Sequence, residues 1–113
     1  MSAIVTVYAT FASEEEAARI ARALVEERVA ACANIFGPCR SLYRWQGAIE
    51  DAQEIAVLFK TTSAGAEALI ARLAELHSYD VPAAVAWPIS AAHAPYAQWV
   101  ADSVRAEGAP SSD

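Results

Sequence analysis

The first residues mix β-branched, aromatic and hydroxyl side chains. In Ala3–Phe11, "AIVTVYATF", Ile4, Val5, Val7 and Tyr8 favour a pleated backbone, and Thr6 and Thr10 support it, which predicts a strand. The pattern then changes. Ala17, Ile20, Ala21, Leu24 and Val25 recur at helical spacing and form one apolar stripe, with Arg19, Arg22 and Glu26 on the other face. Ser13 and Glu16 stand as S-x-x-E, a capping box in which the serine oxygen takes a free N–H and the glutamate reaches back to the cap. The helix is therefore expected from Ser13 to about Arg28. The acidic run at 14–16 suits the positive end of its dipole; the alternative is an acidic metal patch.

"VAACANIF" reads as a short strand, broken or bent by Gly37-Pro38. "RSLYRWQ" alternates, with Ser41, Tyr43 and Trp45 on one side and Arg40, Leu42 and Arg44 on the other. Gly47 marks a turn and "AQEIAVLFKTT" is a further β-rich run, so a hairpin is expected over 40–62. Ala66, Leu69, Ile70, Leu73 and Leu76 predict a second helix over about 64–77. "VPAAVAWPI", fenced by Pro82 and Pro88, fits an edge strand. Pro95 suits a first helical turn; Tyr96, Trp99, Val100 and Val104 repeat at helical spacing, and Gly108 ends the element. "APSSD" is expected to be a disordered tail.

Two β-α-β halves joined by a hairpin, plus a last helix, give an α+β fold on the ferredoxin-like split β-α-β plan, βαββαβ plus a C-terminal helix. The expected division is one domain over 1–108 and a tail over 109–113. The chain is 56% hydrophobic and 19% charged, which is apolar for a monomer of 113 residues. Either other copies cover part of that surface, or alanine inflates the count. A net charge of −6, a single lysine and scattered arginines argue against nucleic acid. No run is long enough to span a bilayer. The start "MSAIVTVYATF" carries no basic region, and Cys32 and Cys39 fit no disulfide framework. The expectation is a reduced, cytoplasmic protein with free thiols.

The stretch "LHSYDVP", 76–82, concentrates candidate chemistry. His77 suits copper or zinc, with Asp80 close by, yet such sites need three or four ligands. Equally, His77 is placed to cap the end of the second helix. Asp80 suits a turn, and Tyr79 lines a cleft or covers core. Lys60, alone near the end of an apolar run, offers an anchor for an anionic ligand or a stem lying on apolar surface. Tyr43 and Trp45 share a hairpin face and read as interface anchors. No G-x-S-x-G, P-loop or H-E-x-x-H motif occurs.

"ALVEERVAACANIFGPCRSLYRWQGAIEDAQEIAVLFKTT", followed by "LHSYDVP" and "YAQWV", resembles the CutA family of divalent cation tolerance proteins over about residues 4–105. The resemblance implies a ferredoxin-like domain assembled as a homotrimer, its hairpin reaching across neighbouring subunits. It implies divalent cations as partners and no catalytic mechanism. Ala9 stands where some members carry cysteine, Asp80 replaces a longer acid, and Ala83 follows Pro82 where an acid is common. Those departures imply weak binding of copper or zinc and no obligatory cofactor. The leading expectation is a trimeric, non-enzymatic cation-tolerance protein with His77 and Asp80 at its metal site. The alternatives are a PII-like module holding a small anionic metabolite between subunits through Lys60 and Tyr79, and a scaffold for a protein partner. An enzyme with a Tyr79/His77 acid–base pair is a further alternative.

Overall fold

A computed structural model describes residues 3–105 of the chain. The element order is β1 (Ile4–Phe11), α1 (Glu14–Glu26), β2 (Cys32–Trp45), β3 (Ala48–Thr62), α2 (Ala66–Leu76), β4 (Ala84–Pro88) and α3 (Ala94–Ser103). The strands form one antiparallel sheet in the order β2-β3-β1-β4. β3 thus separates β1 from β2, which is the split β-α-β arrangement expected from the order of elements. The expected tail at 109–113 and the stop at Gly108 lie outside the described residues.

The two faces of the sheet differ in their cover. Val5, Val7, Ala9 and Phe11 alternate onto one face, in register with Thr61, Phe59, Val57 and Ile55. α1 closes over them with Ala17, Ile20, Ala21 and Leu24, and α2 with Leu69 and Leu73. Arg72 of α2 clasps Glu27 at the end of α1 through two bonds of 2.8 and 3.0 Å. On the second face α3 covers one end only, where Ala97, Val100 and Val104 pack on Ile4 and Ala31. Beyond it Val85 and Trp87 of β4 stay exposed, and Tyr8 stacks on Trp87 with ring centroids 5.9 Å apart.

Several local expectations need correction. β2 does not stop at Gly37-Pro38. It runs through as one strand of 14 residues with a bulge between Ile35 and Pro38. β2 is an edge strand, where a bulged proline removes no essential ladder bond. β3 pairs with β1 only over Ile55–Thr62, so Ala48–Glu54 and their partners project beyond the core. The projecting hairpin lengthens the molecule to 45 Å on its long axis. Its turn uses Gln46 (φ 48°) and Gly47 (φ 83°), the two left-handed residues of a tight hairpin loop.

Two further differences concern side chains. Ser13 does cap α1, its Oγ accepting from the Glu16 N–H at 3.1 Å. Glu16 does not reach back to Ser13; its carboxylate is taken by Ser78. In α3, Tyr96 and Trp99 do not join the buried stripe. Ala97, Val100 and Val104 are buried and the two aromatics are exposed, because α3 meets the sheet along a narrow line of small residues.

Candidate functional site

"LHSYDVP" leaves the end of α2 beneath the far end of β1 and opposite the start of α1. His77 is the C-cap of α2, its N–H donating to Leu73 O at 3.0 Å. Its ring does not meet the carbonyls of its own helix. Nε2 lies 2.7 Å from Thr10 O and Nδ1 accepts the Tyr79 N–H at 3.1 Å. A carbonyl can only accept, so the ring is the neutral tautomer with the proton on Nε2. The ring is fully buried and stacks on Phe11 at 4.7 Å.

Glu16 stands beside it. Its Oε2 accepts the Ser78 N–H at 2.8 Å and lies 3.9 Å from His77 Nδ1, while Oε1 accepts the Ser78 hydroxyl at 3.0 Å. Burial, the largest single influence, pushes this carboxyl up. The two Ser78 bonds lead the influences that outweigh it and hold the group below its ordinary value. One helix terminus thus locks α1, β1 and the 77–79 turn together.

Tyr79 points out of this cluster. Its hydroxyl donates to Glu54 Oε2 at 2.8 Å, across to β3. Burial first, then the Glu54 bond and charge, raise the phenol's pKa well above the ordinary value, so it keeps its proton. Tyr79, Glu54 and Asp80 line a cavity of about 790 Å³, together with Tyr8, Tyr43 and Trp45. Arg40 also borders it, but its guanidinium is held by Asp51 through bonds of 2.9 and 2.6 Å.

The residues singled out from the sequence therefore separate. Asp80, Tyr79, Tyr43 and Trp45 meet at this cavity. His77 stands behind it, with both ring nitrogens engaged inside the chain. Coordination by His77 would require it to give up the Tyr79 N–H. The Tyr79/His77 acid–base pair is not assembled, since the two meet through that backbone bond and ring packing at 4.6 Å. Lys60 lies at the other end of the open sheet face, beside Thr6 and Cys32. It stands six positions along β3 from Glu54, roughly 20 Å, so Lys60 and Tyr79 do not share a cleft within one chain. Among the described residues Lys60 forms no ion pair, and no three His, Cys, Asp or Glu side chains gather where they could hold a metal ion.

Glu54 and Tyr8 escaped the sequence reading. A signal existed: in "AQEIAVLFK" the alternation that sends Ile55 and Val57 inward turns Glu54 to the same face as Leu58 and Lys60. An acid at the foot of an apolar strand is costly unless it is partnered. Glu16 was read as helix-cap chemistry, and its partner is 62 residues away.

Comparison with known proteins agrees with this architecture. A profile described as CutA1 divalent ion tolerance protein matches residues 5–103. The divalent-cation tolerance protein CutA of Thermus thermophilus is 46% identical over 94 residues, covering 83% of this chain and 91% of that protein. Human protein CutA is 39% identical over 82% of this chain, which spans 52% of the human protein's length. The solved Thermus thermophilus structure superposes with a TM-score of 0.87 at 43% identity, covering 90% of this chain and 99% of that one. The CutA1 structure from Oryza sativa gives a TM-score of 0.89 at 32% identity, over 92% and 95%. Relatives include a chloroplastic protein of Arabidopsis thaliana and one from Archaeoglobus fulgidus titled periplasmic, so family alone does not set the compartment. No helix among the described residues is long and apolar enough to cross a membrane. With the sheet order, the helical cover and nearly the whole described length all shared, the chain belongs to the CutA1 divalent ion tolerance family.

Proposed function

We propose that the protein serves divalent-cation tolerance as a homotrimer that binds divalent ions weakly. The observation that carries this reading is the incompleteness of a single chain. Among the described residues both sheet edges, β2 and β4, are unpaired, and the second sheet face is covered only at one end. The acidic cavity likewise offers too few donors for a cation cage within one chain. Neighbouring copies supply both deficits. Two different free edges pair head to tail, and such contacts form a ring when the rotation closes.

Asp80 is the exposed cation ligand in this reading, and His77 positions the turn that carries it. The donor set fits a loosely held ion, since carboxylate oxygens suit hard or borderline cations. The family names a tolerance and no reaction. The test is a calorimetric titration of the metal-stripped oligomer with Cu²⁺ and Zn²⁺. Asp80→Asn is expected to weaken binding about tenfold or more, with His77→Ala acting through a disturbed fold. Binding unchanged in Asp80→Asn removes the assignment.

One observation favours a second reading, an anionic metabolite held between subunits. Lys60 is the single lysine and is without an ion pair among the described residues. A neighbour's hairpin tip could bring further groups to it. Inorganic phosphate as titrant, with Lys60→Ala as control, separates the two readings.

A further inference from the structure

The cavity beside Tyr79 has an unusual balance of groups. Its one cationic lining residue among those described, Arg40, already donates two bonds to Asp51, which neutralises it. Glu54 and Asp80 remain as negative charge. Glu54 is only 6% exposed. Its Oε2 is bonded by Tyr79, while Oε1 has no bond from any described residue. No fully buried polar side-chain atom among the described residues lacks a partner, so Oε1 opens onto the cavity. A carboxylate nine-tenths buried, with one oxygen left without a protein partner at the wall of a half-open cavity, favours a positive partner there.

The walls say which kind. Tyr8, Tyr43, Trp45 and Tyr79 all border the space. Aromatic faces attract cations through their quadrupole, most strongly when the cation is poorly hydrated. A small divalent ion wants three or four donors at about 2 Å, which this cavity does not gather. At about 790 Å³ it is also far larger than an ion and is of the size that holds a small molecule.

We infer that this cavity binds an organic cation, a small alkylammonium, with Glu54 as counter-ion and the rings of Tyr43, Trp45 and Tyr79 around the charged head. The inference goes beyond divalent-cation tolerance and does not depend on it. Its counter-ion is Glu54, a different carboxylate from the Asp80 of the proposed divalent site, although both border the same cavity.

The test uses the full chain in its native assembly. The Trp45 indole N–H is followed by NMR during titration with tetramethylammonium chloride, against sodium chloride at equal ionic strength and against tert-butanol as an uncharged shape. A saturable shift with tetramethylammonium alone is expected. Glu54→Gln keeps an acceptor for Tyr79 and is expected to weaken binding about tenfold. Tyr43→Leu, on the projecting hairpin, is expected to weaken it several-fold, and it carries the test if Glu54→Gln does not fold. No saturable shift overturns the proposal, and so does equal affinity in the wild type and the folded variants. A Cu²⁺ and Zn²⁺ titration of the same samples reads the metal site separately. Tetramethylammonium binding lost in Glu54→Gln with metal binding kept, and metal binding lost in Asp80→Asn with tetramethylammonium binding only slightly weakened, tell the failure of one reading from the failure of the other.

Discussion

Glu16 shows how one side chain can serve two elements. It lies in the first turn of α1, where a carboxylate faces the favourable end of the helix dipole. It also accepts both polar groups of Ser78 at the end of α2. Its pKa in the folded chain is depressed below the ordinary value of 4.5. A depressed carboxylate stabilises the fold above its unfolded pKa, and that contribution is lost as pH falls through the folded value. Glu16→Gln is therefore expected to be less stable than the wild type at neutral pH and to lose less stability on acidification below about pH 4.5. Urea unfolding at a series of pH values and one protein concentration checks this. Two parallel stability curves would remove Glu16 from the acid response. His77 was legible as a helix end from its place in "LHSYDVP". Its ring partners were not, because Thr10 lies 67 residues away and is reached only when β1 and α2 pack.

At the scale of elements, periodicity carried most of the information. The stripes of α1 and α2 and the alternation in β1 follow from burial on one face, which is why they can be read without coordinates. The unbroken run of β2 past the bend at Gly37-Pro38 and the aromatic face of α3 were open or misread for a common reason. Both depend on what lies beside the element: a free edge tolerates Pro38, and a narrow contact leaves Tyr96 and Trp99 outside. The hairpin tip permits a direct test of a local requirement. Gly47 has φ 83°, and a Cβ there would meet nothing within 4 Å. Gly47→Ala therefore probes backbone conformation alone. It is expected to cost about 1 kcal/mol, seen as a lower urea midpoint with an unchanged slope. A neutral result would mean that the turn relaxes freely at the tip. Arg28, with φ 63°, is the comparable strained residue at the end of α1. It donates to the Asp102 and Ser103 carbonyls at the end of α3, so its side chain offsets its backbone.

At the scale of the molecule, the most telling feature is exposed apolar surface in a chain that is 56% hydrophobic. Val85, Trp87 and Ile49 remain outside, and among the described residues both strand edges are free. Surface of this kind marks an interface or an aggregation hazard. Under the trimer proposal, sedimentation is expected to give a mass near three times 12.0 kDa. Trp87→Glu, which puts a charge on the open face, is expected to raise the dissociation constant about tenfold or more. A monomer in both proteins at micromolar concentration would sink the trimer and the inter-subunit reading of Lys60 with it.

The sequence by itself determined the order of elements, the faces that α1 and α2 bury, the cap at Ser13, the tight turn at Gly47 and the family. Each of these is written in short-range spacing, and local sterics and solvation act over a few residues. Only the tertiary structure decided that His77 is a buried, fully bonded ring, that Glu16 belongs to Ser78, and that Tyr79 meets Glu54 over an aromatic cavity. Those pairings join residues 67, 62 and 25 positions apart. No period in the chain encodes them; they exist because packing the helices on the sheet brings buried polar groups together, and each such group must find a partner.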